Sequence, residues 1–109
     1  MMIDENLVLF RHGWDRHQMV GTLESVDFGS STCTIRDIKA PHTLYSSLTA
    51  EVFQVRELVI SAWYDGNSSR WRAVGTTADG TVIYRGPLRE TIEAADADAE
   101  RAKKGDVVL

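Results

Sequence analysis

The chain is short of several things, and each absence excludes a class of protein. It holds one cysteine, Cys33, in 109 residues. No intramolecular disulfide can form, and a four-thiolate zinc site is excluded. Two prolines and eight glycines are too few for a collagen-like chain. No apolar run approaches the roughly 18–20 residues that a bilayer-spanning helix needs. The opening residues Met1–Asn6 lack a basic region followed by a long apolar stretch. They predict no signal peptide, and the expected location is cytoplasmic. No Gly-x-x-x-x-Gly-Lys-Ser/Thr phosphate loop occurs. A global basic excess is also missing: 12 Lys plus Arg stand against 16 Asp plus Glu, a net charge of −4. The footprint of a strongly basic nucleic-acid binder is therefore absent.

What remains is ordinary globular material. Hydrophobic residues make up 43% and charged residues 26%, enough for one core in one domain spanning residues 1–109. The charge is unevenly laid out. Five arginines (Arg56, Arg70, Arg72, Arg85, Arg89) face three acids between positions 56 and 89. Five acids (Glu90, Glu93, Asp96, Asp98, Glu100) and no base follow between 90 and 100. Cys33 stands in a β-like run and reads as a small buried residue rather than a nucleophile.

Leu7–Phe10 is four apolar residues in a row and predicts a buried strand. His12-Gly13-Trp14-Asp15 reads as a turn. Residues 18–28 and 32–38 predict two further strands around the turn Gly29-Ser30-Ser31. Lys39–Ser47, with Pro41, reads as a connection. A helical turn near 49–55 leads into a strand at about 57–64, and Asp65-Gly66-Asn67 marks a hairpin. Strands follow at 70–77 and 81–85, separated by Ala78-Asp79-Gly80. The period of two puts Arg70, Arg72 and Val74 on one face, opposite Trp71, Ala73 and Gly75. A helix is predicted from Gly86-Pro87 to Gly105, with Leu88, Ile92, Ala95, Ala99 and Ala102 as its inward stripe. Its acids come early and its bases late, which complements the helix dipole. The expected architecture is α+β: an antiparallel sheet of about five or six strands with a C-terminal amphipathic helix packed on one face.

Three resemblances bear on function. Leu7-Val8-Leu9-Phe10-Arg11-His12-Gly13 resembles the opening strand of the histidine phosphatases. It implies His12 as phosphoryl acceptor and Arg11 as phosphate ligand. The match covers seven residues, and the only later histidine beyond residue 17 is His42. Gly21-Thr22-Leu23-Glu24-Ser25-Val26-Asp27 and Arg85-Gly86 are similar to the two motifs of Sm-like RNA-binding proteins, which implies loop roles for Asp27 and Arg85. The asparagine usual after the aspartate in those motifs is absent here, where Gly29-Ser30-Ser31 stands instead. Residues 57–104 resemble in outline the three-stranded sheet plus helix of some small DNA-binding arms, which implies phosphate or base contacts by Arg70, Arg72 and Arg85. His12, Asp15 and His17 are possible metal ligands within six residues, but nothing nearby completes a set, so no metal is expected.

The reading that follows is a small, acidic, non-enzymatic binding or regulatory protein of the inhibitor, immunity or adaptor type. It uses no cofactor and does not engage a membrane. It acts as monomer or homodimer on a protein partner through Glu90, Glu93, Asp96, Asp98 and Glu100. The alternative is a nucleic-acid-binding module that uses Arg70, Arg72 and Arg85.

Overall fold

The computed structural model describes residues 6–12 and 17–109. Two compact units divide the described chain, one ending at Val55 and the other running from Arg56 to Leu109. The architecture is α+β, with antiparallel sheets of five and three strands and one C-terminal helix packed against a sheet. The eight strands of the described residues thus fall into two sheets.

In the first unit the strands are β1 (Leu7–His12), β2 (His17–Asp27), β3 (Thr32–Asp37), β4 (Leu44–Leu48) and β5 (Val52–Gln54), in sheet order β4-β3-β2-β1-β5. Leu7 to Phe10 are all buried, as an unbroken apolar run predicts for a strand with no solvated face. The residues expected to turn between β1 and β2, from Gly13 onward, lie outside the described residues. The stretch expected as a connection at 39–47 instead yields β4. Its Leu44-Tyr45-Ser46-Ser47-Leu48 turns Tyr45 and Ser47 inward and leaves the leucines exposed. Its inward residues are polar or amphipathic, so its hydrophobic alternation is the inverse of a half-buried strand's.

The sheet coils on itself. Ser47 on β4 donates to the Arg11 carbonyl on β1 at 3.5 Å. The rings of Phe10 and Tyr45 lie 5.8 Å apart, although two strands separate theirs in the sheet order. Val8, Phe10, Cys33 and Ile35 form the core inside this curl, with Met19, Leu23, Tyr45 and Val52 packed around it. Gly21 is the point of tightest approach. A Cβ there would lie 2.5 Å from the Arg36 carbonyl oxygen and 2.6 Å from Ile35 Cγ2. A 3₁₀ turn at Thr49–Glu51 carries the chain into β5, and another at Val55–Glu57 follows it. The helical turn expected over 49–55 is split by this short strand.

In the second unit β6 (Val59–Asp65), β7 (Arg70–Thr76) and β8 (Val82–Arg85) form a meander, and α1 (Ile92–Lys103) packs on it. Register puts Ile60, Ala62, Ala73, Gly75 and Tyr84 on the helix-bearing face. Ala95, Ala99 and Ala102 are the buried apolar positions of α1. Small residues on both layers let the helix backbone approach closely. The helix begins at Ile92, later than the Gly86-Pro87 start expected. Thr91 is its N-cap, its hydroxyl accepting from the Ala94 N–H at 3.2 Å. Residues before it stay extended because Arg89 exchanges two backbone hydrogen bonds with Trp71.

Tyr84 is the one large side chain fully buried in this layer. A Cβ at Gly75 would come within 3.2 Å of Tyr84 Cβ, and one at Gly86 within 2.8 Å of its hydroxyl. The hydroxyl donates to the Val108 carbonyl beyond the helix. Burial, reinforced by the Asp98 charge, pushes the phenol up to about 12 from its ordinary 10.

Two outcomes follow. Gly21→Ala should lower stability by about 3 kcal/mol, the upper end of the overpacking range, because a backbone carbonyl cannot move aside. Urea unfolding checks it. The Tyr84 proton is held more tightly folded than unfolded, so its contribution is complete below pH 10. It should be lost as pH rises from 10 through about 12. Alkaline unfolding followed by tryptophan fluorescence should be steeper in this window for the wild type than for Tyr84→Phe.

Candidate functional site

The sheet of the second unit has a second face, away from the helix. Cross-strand partners share a face, so the pairs Asp65↔Arg70, Trp63↔Arg72 and Val74↔Arg85 line it. The structure therefore brings Arg70, Arg72 and Arg85 together, as the period of two implied. Arg70 and Arg85 are exposed and have no ion-pair partner among the described residues. Arg72 is half-buried, and its Nε and Nη2 both donate to the Gly86 carbonyl, at 2.9 and 2.8 Å. That fork pins the guanidinium in place without neutralising it.

Trp63 lies beside them, 45% exposed. Its indole N–H donates to Ser61 Oγ at 3.0 Å, two residues back on the same face. A recess of about 330 Å³ is lined by Trp63, Asp65, Asn67, Arg72, Val82 and Arg85. Asp65 is the acid of this face. Its carboxylate is engaged by its own turn, accepting from the Asn67 N–H at 3.1 Å and from the Ser68 hydroxyl at 2.9 Å. The sequence reading missed Trp63 and Asn67. The signal was present: closing a four-residue loop between Asp65 and Arg70 puts position 63 opposite position 72.

The acidic stretch is distributed differently from its appearance in sequence. Glu90 is exposed and precedes the helix. Glu93, Asp96 and Glu100 share one exposed stripe of α1 at spacings of three and four. Glu100 accepts from Lys103 Nζ at 2.9 Å. Asp98 is turned inward, only 4% exposed, and receives Arg89 Nε at 2.7 Å and Nη2 at 3.3 Å. This two-pronged hydrogen bond to Asp98, and then its charge, raise the Arg89 guanidinium above its ordinary value.

The other sequence candidates lie in the first unit. His12 is exposed at the end of β1, its ring 4.3 Å from that of Tyr45. His42 is exposed in the turn before β4, and Gly13 and Asp15 are outside the described residues. Among the described residues no group of three metal-ligating side chains assembles. Asp27 accepts from the Gly29 N–H at 2.9 Å and closes its own turn. It belongs to the five-stranded sheet, whereas Arg85 belongs to the three-stranded one. Cys33 is buried, its thiol donates to the Ser47 carbonyl at 3.6 Å, and burial pushes it above its ordinary value. No described helix is long and apolar enough to cross a membrane. The chain matches no protein-family model, no curated protein and no solved structure.

The hairpin that sets this face has one strained position. Ser69 has φ of 56°, the left-handed region, and Ser31 does the same with 57° at the corresponding place in the β2–β3 turn. The left-handed conformation costs a non-glycine residue about 1–2 kcal/mol, and glycine returns about 0.5–1 kcal/mol of that as chain entropy. Ser69→Gly should therefore raise stability by about 0.5 kcal/mol in thermal or urea unfolding, with the same strand register by NMR.

Proposed function

We propose that this protein is a non-enzymatic binding module that takes nucleic acid on the open face of its three-stranded sheet. The observation that carries the reading is the gathering of Arg70, Arg72 and Arg85 beside Trp63 around one recess. The net charge of −4 describes the chain as a whole. The local charge is what a phosphate meets within a Debye length, about 8–10 Å at ordinary salt. Three guanidiniums against one carboxylate already engaged in its turn make this face positive. Arg72 is held in place before any ligand arrives, which lowers the entropic cost of a contact.

A protein partner on the helix is the second reading. It is favoured by Glu93, Asp96 and Glu100 sharing one outer stripe, as expected for a regulatory or inhibitory surface that meets a basic partner. That stripe is weakened by the Lys103 pair and by the inward turn of Asp98. The monomeric or homodimeric state and the cytoplasmic location expected from sequence are compatible with either reading.

Salt separates them in a single titration. Binding of a labelled oligonucleotide should weaken steeply as salt rises, because each neutralised phosphate releases counterions. Arg85→Ala and Arg70→Ala should each weaken binding several-fold and reduce the slope of log K against log salt by about one. Glu93→Gln with Asp96→Asn should leave the slope unchanged. Binding that ignores salt, or that survives loss of both exposed arginines, would sink the nucleic-acid reading.

A further inference from the structure

We propose, resting on the nucleic-acid reading above, that the site selects a single strand. An unpaired base stacks on Trp63, with its phosphate held by Arg85 and Arg72. The ring's tether, its exposure and the recess beside it lead there. The Trp63 indole N–H is satisfied by Ser61 two residues back along the same strand, so the ring is oriented along β6 with nearly half its surface open. A tryptophan held by its edge offers its π-face, and every base has a matching one. The recess beside it is concave and measures about 330 Å³. That is at the small end of the range for sites that enclose one small molecule, about 300–1,000 Å³.

A duplex offers no base to such a recess, because its bases are paired and stacked inside and only their edges reach the grooves. A single strand can splay one base into the recess and keep its backbone on the rim. The polar lining suits that arrangement. Arg85 is exposed and without an ion-pair partner among the described residues, Arg72 is fixed on the Gly86 carbonyl, and Asn67 supplies an exposed amide at the turn. The amide both donates and accepts, so it fits the edge of more than one base. The expected preference is accordingly for single strands over duplex, with little discrimination among bases.

The test is fluorescence anisotropy on the whole protein at low salt. The probes are a labelled oligothymidylate of about a dozen nucleotides and the same strand annealed to its complement. The wild type should bind the single strand at least about tenfold more tightly. Trp63→Ala should lose about tenfold or more on the single strand with little change on duplex, and Trp63→Phe should keep most of the affinity. Arg85→Ala should weaken both probes alike. A measurement on the wild type needs no variant to fold: photocrosslinking of an iodouracil-substituted strand, mapped by mass spectrometry, should mark Trp63. Equal or tighter duplex binding, an indifferent Trp63→Ala, or crosslinks confined to other residues overturns single-strand selection while the arginine reading stands. No binding of either probe at low salt overturns both.

Discussion

The second unit depends on one close approach. Gly75 and Gly86 have no side chains where the Tyr84 ring and hydroxyl lie, and any Cβ at those positions would meet Tyr84. The ring occupies that space, and its hydroxyl ties down the chain beyond the helix at Val108. Around it the two layers are built of alanines, Ala62 and Ala73 in the sheet and Ala95, Ala99 and Ala102 in the helix. Such a thin interface buries modest apolar area per residue, so a single large side chain carries a disproportionate share of it. The helix is further held by Arg89, which lies on an extended segment bridged to β7 and reaches Asp98 inside the interface. A buried carboxylate is tolerable there because one guanidinium both pairs with it and hydrogen-bonds to each of its oxygens.

With one face of the sheet closed by the helix, the other carries the arginines and Trp63. Strand alternation does the sorting: odd and even positions of β7 separate Trp71, Ala73 and Gly75 from Arg70, Arg72 and Val74. The helix performs a similar sorting of acids, with Asp98 inside and Glu93, Asp96 and Glu100 outside. The outer surfaces of the two layers therefore carry opposite signs, although the segment from 56 to 109 holds eight bases and nine acids in total. Averaged charge is a poor guide to such a layered unit. What a polyanion meets is the sign of one face.

Much of this arrangement was readable from residue order. The apolar run at Leu7–Phe10, the hairpin at Asp65-Gly66-Asn67, and the face shared by Arg70 and Arg72 follow from patterning and turn chemistry alone. The misreadings have specific causes. β4 puts Tyr45 and Ser47 inward and leucines outward, so its burial comes from the curl of the sheet and not from its own hydrophobicity. Pro87 suits a first helical turn, yet the helix starts at Ile92. The backbone pairing of Arg89 with Trp71, which keeps that stretch extended, is invisible without the tertiary fold. Trp63 joins the arginines only across the hairpin, so its place follows from the four-residue loop and not from the pattern of its own strand. Asp98 looked like its acidic neighbours, and only its position on the helix wheel beside Ala99 and Ala102 sets it apart.

The two hairpin turns are built to one plan. Each spans four residues between paired strand ends, Asp27↔Thr32 and Asp65↔Arg70. In each an aspartate accepts from the backbone N–H two residues on, and a left-handed serine completes the loop. A kinetic consequence follows. Such turns close contacts between near neighbours in the chain, and isolated hairpins form in about 1–10 μs. Pairings this local nucleate early, whereas β5 must return across more than 40 residues of chain to reach β1. The register that sets Trp63 against Arg72 belongs to such a local pairing, whose closure calls on no residue of the C-terminal helix.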